Sequence, residues 1–178
     1  MNILISLLYA PFIFFALKNF DIQLVALGIF IFSFIWLLLT LKQTIQNYIF
    51  PLIYILIALL AFLLNDVLLL KLLPMILSLL ITFFILYSYW TKNSFIFIFL
   101  NKINKKVEAD EKEYIQKSTL FWFFISLLNV IIHSYILYIQ DIIYWTYYSS
   151  IGWYVLFIIA AVIQFGHKKI FFNRRTFA

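Results

Sequence analysis

The 178-residue sequence has no cysteine, three glycines, three prolines and seven carboxylates, and only 11% of its residues are charged. Without cysteine there is no disulfide framework and no thiolate nucleophile or metal ligand. A water-soluble domain carries about 25% charged residues and is roughly half apolar, whereas 66% of this chain is apolar. That excludes a soluble globule and a disordered chain. Four carboxylates crowd into the stretch Glu108–Glu113, while Asp21, Asp66 and Asp141 stand alone. A two-carboxylate or metal-assisted phosphoryl site is hard to build from such a set. The sequence holds no H-E-x-x-H, Walker loop, G-x-G-x-x-G or G-x-S-x-G motif. Its two histidines, His133 and His167, are far apart in sequence and bring no ligand set for zinc. The expectation is no catalytic residue, no metal and no cofactor. The 22% aromatic content carries little functional weight, because Phe, Ile, Tyr, Lys and Asn are abundant together, as in an AT-rich coding sequence.

What is present is a series of long charge-free runs: Met1–Leu17, Ile22–Leu41, Gln43–Asn65, Leu72–Thr91, Ser118–Gln140 and Ile142–His167. About 20 apolar residues cross the hydrocarbon of a bilayer as a helix, and a charge at the helix centre costs about 2.5–3.5 kcal/mol on insertion scales. Lengths near this value without period-2 alternation favour helices over barrel strands. The expected fold is therefore all-α, a polytopic membrane helix bundle with six transmembrane helices forming a single transmembrane domain over 1–178. Five is the alternative, since Pro11 interrupts the first run and must either kink that helix or mark its start.

The basic residues orient these spans. With Met1 cytoplasmic, the inside segments hold Lys42, Lys92, Lys102, Lys105, Lys106, Lys112, Lys117, Lys168, Lys169, Arg174 and Arg175. The outside loops keep Lys18 and Lys71 beside Asp21, Asp66 and Asp141. By the positive-inside rule both termini are expected in the cytoplasm. The first hydrophobic run has no basic region before it and no small-x-small site ahead of Lys18, so no removable signal is expected. This placement accounts for the net charge of +6 without nucleic acid as a partner. Lys102, Lys105, Lys106, Lys168 and Lys169 are expected to meet lipid headgroups, each worth roughly 1 kcal/mol near an anionic surface.

The one sizeable loop, 92–117, has Ser94 as an N-cap candidate, then the apolar run Phe95–Leu100, then a basic stretch. Six apolar residues cannot cross a bilayer. They suit a short helix lying at the cytoplasmic interface or, as the alternative, a re-entrant piece packed between helices. Glu108/Lys112 and Glu113/Lys117 are i,i+4 pairs in the favourable order, so helix is expected to continue from Glu108 into the fifth span. The basic tail 168–178 follows the last span.

Polar residues within the spans are the place to look for function. On the fifth span Trp122, Ser126, Asn129, His133 and Gln140 recur at helical spacing and share one face. Ser126, Asn129 and His133, with Gln164 on the sixth, are candidates for ligand contact or for hydrogen-bonded helix packing. Packing is the plainer reading, because no span contains a carboxylate to partner His133 in a proton relay. Ser78, Thr82 and Ser88 on the fourth span, and Gly152 on the sixth, read as ordinary packing positions. Asp141–Tyr148, with Tyr144, Trp145, Tyr147 and Tyr148, reads as an interfacial aromatic belt.

Leu73-Pro74, Ser78, Tyr87-Ser88, Ser94, Tyr114-x2-Lys117-x-Thr119-x2-Trp122-x6-Asn129, and then Trp145, Tyr148, Tyr154 and Lys168 form a pattern, to which Pro11 and Lys18 also fit. With these residues the chain resembles a family of small bacterial inner-membrane proteins of unassigned activity, which is in turn similar to the intracellular septation protein A group. Val130 departs from the pattern where Gly is usual, Phe97 and Ile98 where a Glu-Arg pair is common, and Gln164 where Glu is frequent. The resemblance implies location in the bacterial inner membrane and a connection to cell-envelope upkeep or septation, with no catalytic residues. The expected function is non-enzymatic, with membrane lipids as partners and envelope or division proteins reached through the 92–117 loop. The alternative is a small transporter or lipid-handling protein with an internal polar site.

Overall fold

A computed structural model describes residues 3–41, 47–102 and 109–175. Among these residues the elements are α1 (Ile3–Asn19), α2 (Ile22–Thr40), α3 (Ile49–Leu64), α4 (Val67–Trp90), α5 (Phe95–Lys102), α6 (Ala109–Ile139), α7 (Ile142–Tyr147), a π-helical turn (Tyr148–Gly152) and α8 (Trp153–Arg175). The all-α membrane-helix class holds. Four segments are long and apolar enough to cross a bilayer: Ile22–Thr40, Val67–Trp90, Glu111–Ile139 and Ile142–Ile170.

Six such spans are expected from the charge-free runs; α1 and α3 are the shorter two. Where Gln43–Asn65 reads as a full span, α3 has 16 residues, about 24 Å at 1.5 Å per residue against about 30 Å of hydrocarbon. Two local features set its ends. Pro51 has no N–H and is accommodated in the first turn of the helix, and Asn65, at φ 52°, turns the chain out in the left-handed conformation. Pro11, by contrast, sits inside α1 rather than at its start.

The two cations assigned to outer loops are also placed differently. Lys18 lies in the last turn of α1, and Lys71 lies inside α4. The Asp66 Oδ1 accepts the Leu68 N–H at 2.8 Å, which starts α4 ahead of the lysine. The helical elements expected in the loop are present within the described residues. Phe95–Lys102 is helical, and Ser94 Oγ accepts the Ile96 N–H at 3.2 Å. One continuous 31-residue helix runs from Ala109 through the fifth span. Lys105, Lys106 and the Glu108/Lys112 pair involve residues outside those described.

The chain forms two compact units, Met1–Ile76 with His133–Ile151, and Leu77–Ile132 with Gly152–Ala178. In the first unit, α2 packs along α3, with Val25, Ala26, Ile29 and Ser33 buried on one helix and Pro51, Tyr54, Ala58 and Ala61 on the other. Helices in lipid gain little from burying apolar area against each other, so close approach over alanines supplies the attraction. Tyr54 is wedged between rings, edge-on to Tyr9 at 5.5 Å and to Trp36 at 5.8 Å. In the second unit, Trp122 stacks on Phe157 at 5.9 Å.

Candidate functional site

In the second unit the polar residues of α6 meet those of α4 and of the turn before α5. Thr82 and Ser126 share a hydroxyl–hydroxyl hydrogen bond of 2.6 Å, and Asn129 Nδ2 donates to Ser78 Oγ at 2.9 Å. Ser94 and Thr119 form a second hydroxyl pair at 2.6 Å. All six side chains are buried. The spacing 119, 126, 129 on α6 and 78, 82 on α4 puts each hydroxyl or amide one or two turns from the next, so these bonds join the helices over several turns. Ser126 and Asn129 therefore each hydrogen-bond from α6 to α4 in this unit.

Further toward the N-terminal end of α6 the ties become ionic and aromatic. The Tyr114 hydroxyl donates to the Gln164 carbonyl at 3.3 Å and lies 3.2 Å from His167 Nδ1, with the two rings stacked. Lys168 Nζ is 2.7 Å from Glu111 Oε1, Gln116 Nε2 donates to the Tyr89 carbonyl at 2.6 Å, and Lys112 Nζ sits 5.9 Å from the Phe97 ring centroid. Lys168, expected at lipid headgroups, is thus ion-paired, whereas Lys102 and Lys169 are exposed. Glu113 and Lys117 form the expected i,i+4 pair at 2.7 Å, but both are so exposed that it adds little stability.

The fifth-span face divides. Ser126, Asn129 and His133 are buried, whereas Gln140 is exposed beyond the helix end with φ 61°. His133 belongs to the first unit, where its ring meets Tyr148 edge-on at 4.8 Å. Gln164 is half-buried on α8, and its carbonyl, not its side chain, makes the contact with Tyr114. The aromatic belt divides too. Tyr144 and Tyr147 are exposed, but Trp145 is 1% exposed and its indole N–H donates to the Lys71 carbonyl at 3.0 Å. A helix places residues 144 and 147 on one side and 145 about 100° away, so a run of neighbouring aromatics cannot all face lipid.

Pro74 carries a sequence signal for one further interaction. Pro74 has no N–H, so the carbonyl four residues earlier, at Leu70, loses its helical partner. The Tyr9 hydroxyl donates to that carbonyl at 3.0 Å. A proline inside a span implies a donor elsewhere; which donor it is depends on contacts 61 residues away in sequence.

Among the described residues no three His, Cys, Asp or Glu side chains gather to hold a metal ion. The hydroxyl pairs are open to direct test. In a double-mutant cycle of Thr82→Val and Ser126→Ala, unfolded reversibly in mixed micelles, the coupling is expected near 0.6 kcal/mol and below about 1.7 kcal/mol. Additive losses would mean that the two hydroxyls do not interact. Comparisons with known protein families, with curated proteins and with solved structures give no match for this chain.

Proposed function

We propose that this protein is a non-catalytic integral membrane protein of the bacterial inner membrane, with both termini cytoplasmic, that supports cell-envelope maintenance or septation by presenting its 92–117 segment to partner proteins. The observation that carries this reading is the way the segment is held. Ser94, Glu111, Tyr114 and Gln116 all bond to residues of the same unit outside the segment, and Lys112 sits over the Phe97 ring within it, so its described residues form a braced platform. Its outward groups are Ile98 and Phe99 on α5, with Lys102, Glu113 and Lys117. An apolar patch bordered by charges fits the membrane surface and a protein partner at once. The hydroxyl and amide groups of Ser126 and Asn129 are engaged between helices, which favours packing over an internal transport site.

The reading is tested by replacing Ile98 and Phe99 together with Asp. Because neither side chain is buried, the chain is expected to accumulate normally while reproducing the phenotype of a gene deletion in cell length or envelope-stress sensitivity. A deletion strain that divides normally and resists osmotic and detergent challenge would overturn it. Loss of a transport activity on His133→Ala, with normal accumulation, would favour the internal polar site instead.

A further inference from the structure

The first unit contains a cleft of about 380 Å³ whose lining includes Asp66, Lys71, Gln140, Asp141 and Trp145. Two corners of the same construction border it. At one, Asn65 turns out of α3 with φ 52° and Asp66 opens α4. At the other, Gln140 turns out of α6 with φ 61°, and Asp141 opens α7 by accepting the Ile143 and Tyr144 N–H groups at 2.7 and 3.1 Å. Each cap uses Oδ1 of its aspartate. The corners are the ends of the membrane-length segments Val67–Trp90, Glu111–Ile139 and Ile142–Ile170, so the cleft lies at the membrane–water boundary whichever way the chain is inserted.

Lys71 stands one turn into α4 and is half-buried, with its carbonyl fixed by the Trp145 indole. Among the described residues no carboxylate lies within ion-pair distance of its ammonium. Lys71 and Asp141 feel each other's charge, but the cation and the two carboxylates of the lining form no direct ion pair. A purely anionic ligand would face Asp66 and Asp141. A divalent cation would face Lys71 and find only two carboxylates, fewer oxygen ligands than such ions take. A ligand carrying both signs satisfies all three groups.

From this lining we infer that the cleft binds a phosphate–ammonium zwitterion, the chemistry of a phosphoethanolamine headgroup, with phosphate on Lys71 and a primary ammonium on Asp141 and Asp66. A primary ammonium donates three hydrogen bonds to carboxylates, whereas a quaternary ammonium donates none, so the carboxylates select the ethanolamine over the choline headgroup. The inference rests on the membrane reading and not on the 92–117 platform.

The purified full-length chain in micelles is titrated with dioctanoyl phosphatidylethanolamine, phosphatidylcholine and phosphatidylglycerol, and with glycerophosphoethanolamine. The ethanolamine lipid is expected to bind about tenfold more tightly than the other two lipids, as charge-assisted hydrogen bonds to carboxylates are gained. Lys71→Met is expected to weaken it about tenfold, and Asp141→Asn to abolish the preference over choline while leaving the unfolding midpoint without lipid unchanged, because Asn caps helices as well as Asp does. Lys71→Arg, which keeps the cation, is expected to retain binding and guards against a misfolded Met variant. Saturation by glycerophosphoethanolamine at similar concentration would identify a soluble zwitterion as occupant; a requirement for acyl chains would identify membrane lipid. Equal binding of ethanolamine and choline lipids, or full affinity in Lys71→Met, would overturn the inference. Carbonate extraction of cell membranes checks membrane insertion independently.

Discussion

Trp145→Ala is expected to lower stability by about 3–5 kcal/mol, the cost of emptying a large buried aromatic site. Trp145 is the bulkiest fully buried side chain of the described residues, at 1% exposure, and its indole N–H reaches across to the Lys71 carbonyl. The substitution removes both the volume and the bond that ties α7 to α4 within the first unit. Trp145→Phe, which keeps most of the volume but not the N–H, should lose about 1–2 kcal/mol less than Ala does. Reversible unfolding in mixed micelles reads both. An Ala variant as stable as the parent would mean that residue 145 faces lipid, as the run of neighbouring aromatics first implies.

Tyr9→Phe is expected to cost about 1–2 kcal/mol, more than the average interhelical hydrogen bond in a membrane protein. That average is low because a polar group in a separated helix usually finds another partner. The Leu70 carbonyl is different: Pro74 removes its partner from the helix itself, and Leu70 is fully buried, so the carbonyl is left unpaired in the protein interior unless Tyr9 covers it. The same reasoning predicts a rescue. In a Pro74→Ala background the backbone N–H returns and bonds Leu70, and Tyr9→Phe should then cost less than about 0.5 kcal/mol. Equal cost in both backgrounds would show that the hydroxyl stabilises the first unit in some other way. Tyr9 also meets Tyr54 through its ring, and Phe preserves that contact, so the substitution isolates the hydroxyl.

The contrast between Trp145 and its neighbours shows where sequence reasoning stops. Composition and charge spacing are one-dimensional properties, and the cost of burying charge in hydrocarbon acts on them directly. They therefore yield the helical membrane class, an apolar helix within each charge-free run, and the short helix after Ser94. Direction around a helix needs a second reference, the neighbouring surface. For Ser126, Asn129 and His133 the shared face is correct, because periodicity alone reports which residues lie together. What each touches is not contained in periodicity. Ser126 meets Thr82 and Asn129 meets Ser78, while His133 meets Tyr148 in the other unit.

Helix ends follow the same division. Asn65 ends α3 where the charge-free run itself ends, whereas the start of α3 at Ile49, with Pro51 in its first turn, falls inside that run. The charge-free run places Lys71 outside the fourth span because lysine is costly in lipid; the aspartate cap at Asp66 draws it into α4 instead. The sequence by itself determined that this chain is a set of apolar helices with its cations concentrated around one loop and the tail, since transfer free energy depends on residue type and run length. Only the tertiary structure decided that Tyr9 covers the carbonyl stranded by Pro74, that Trp145 turns inward, and that Asp66, Lys71 and Asp141 line one cleft, because each depends on residues 61 to 75 positions apart being brought together by packing.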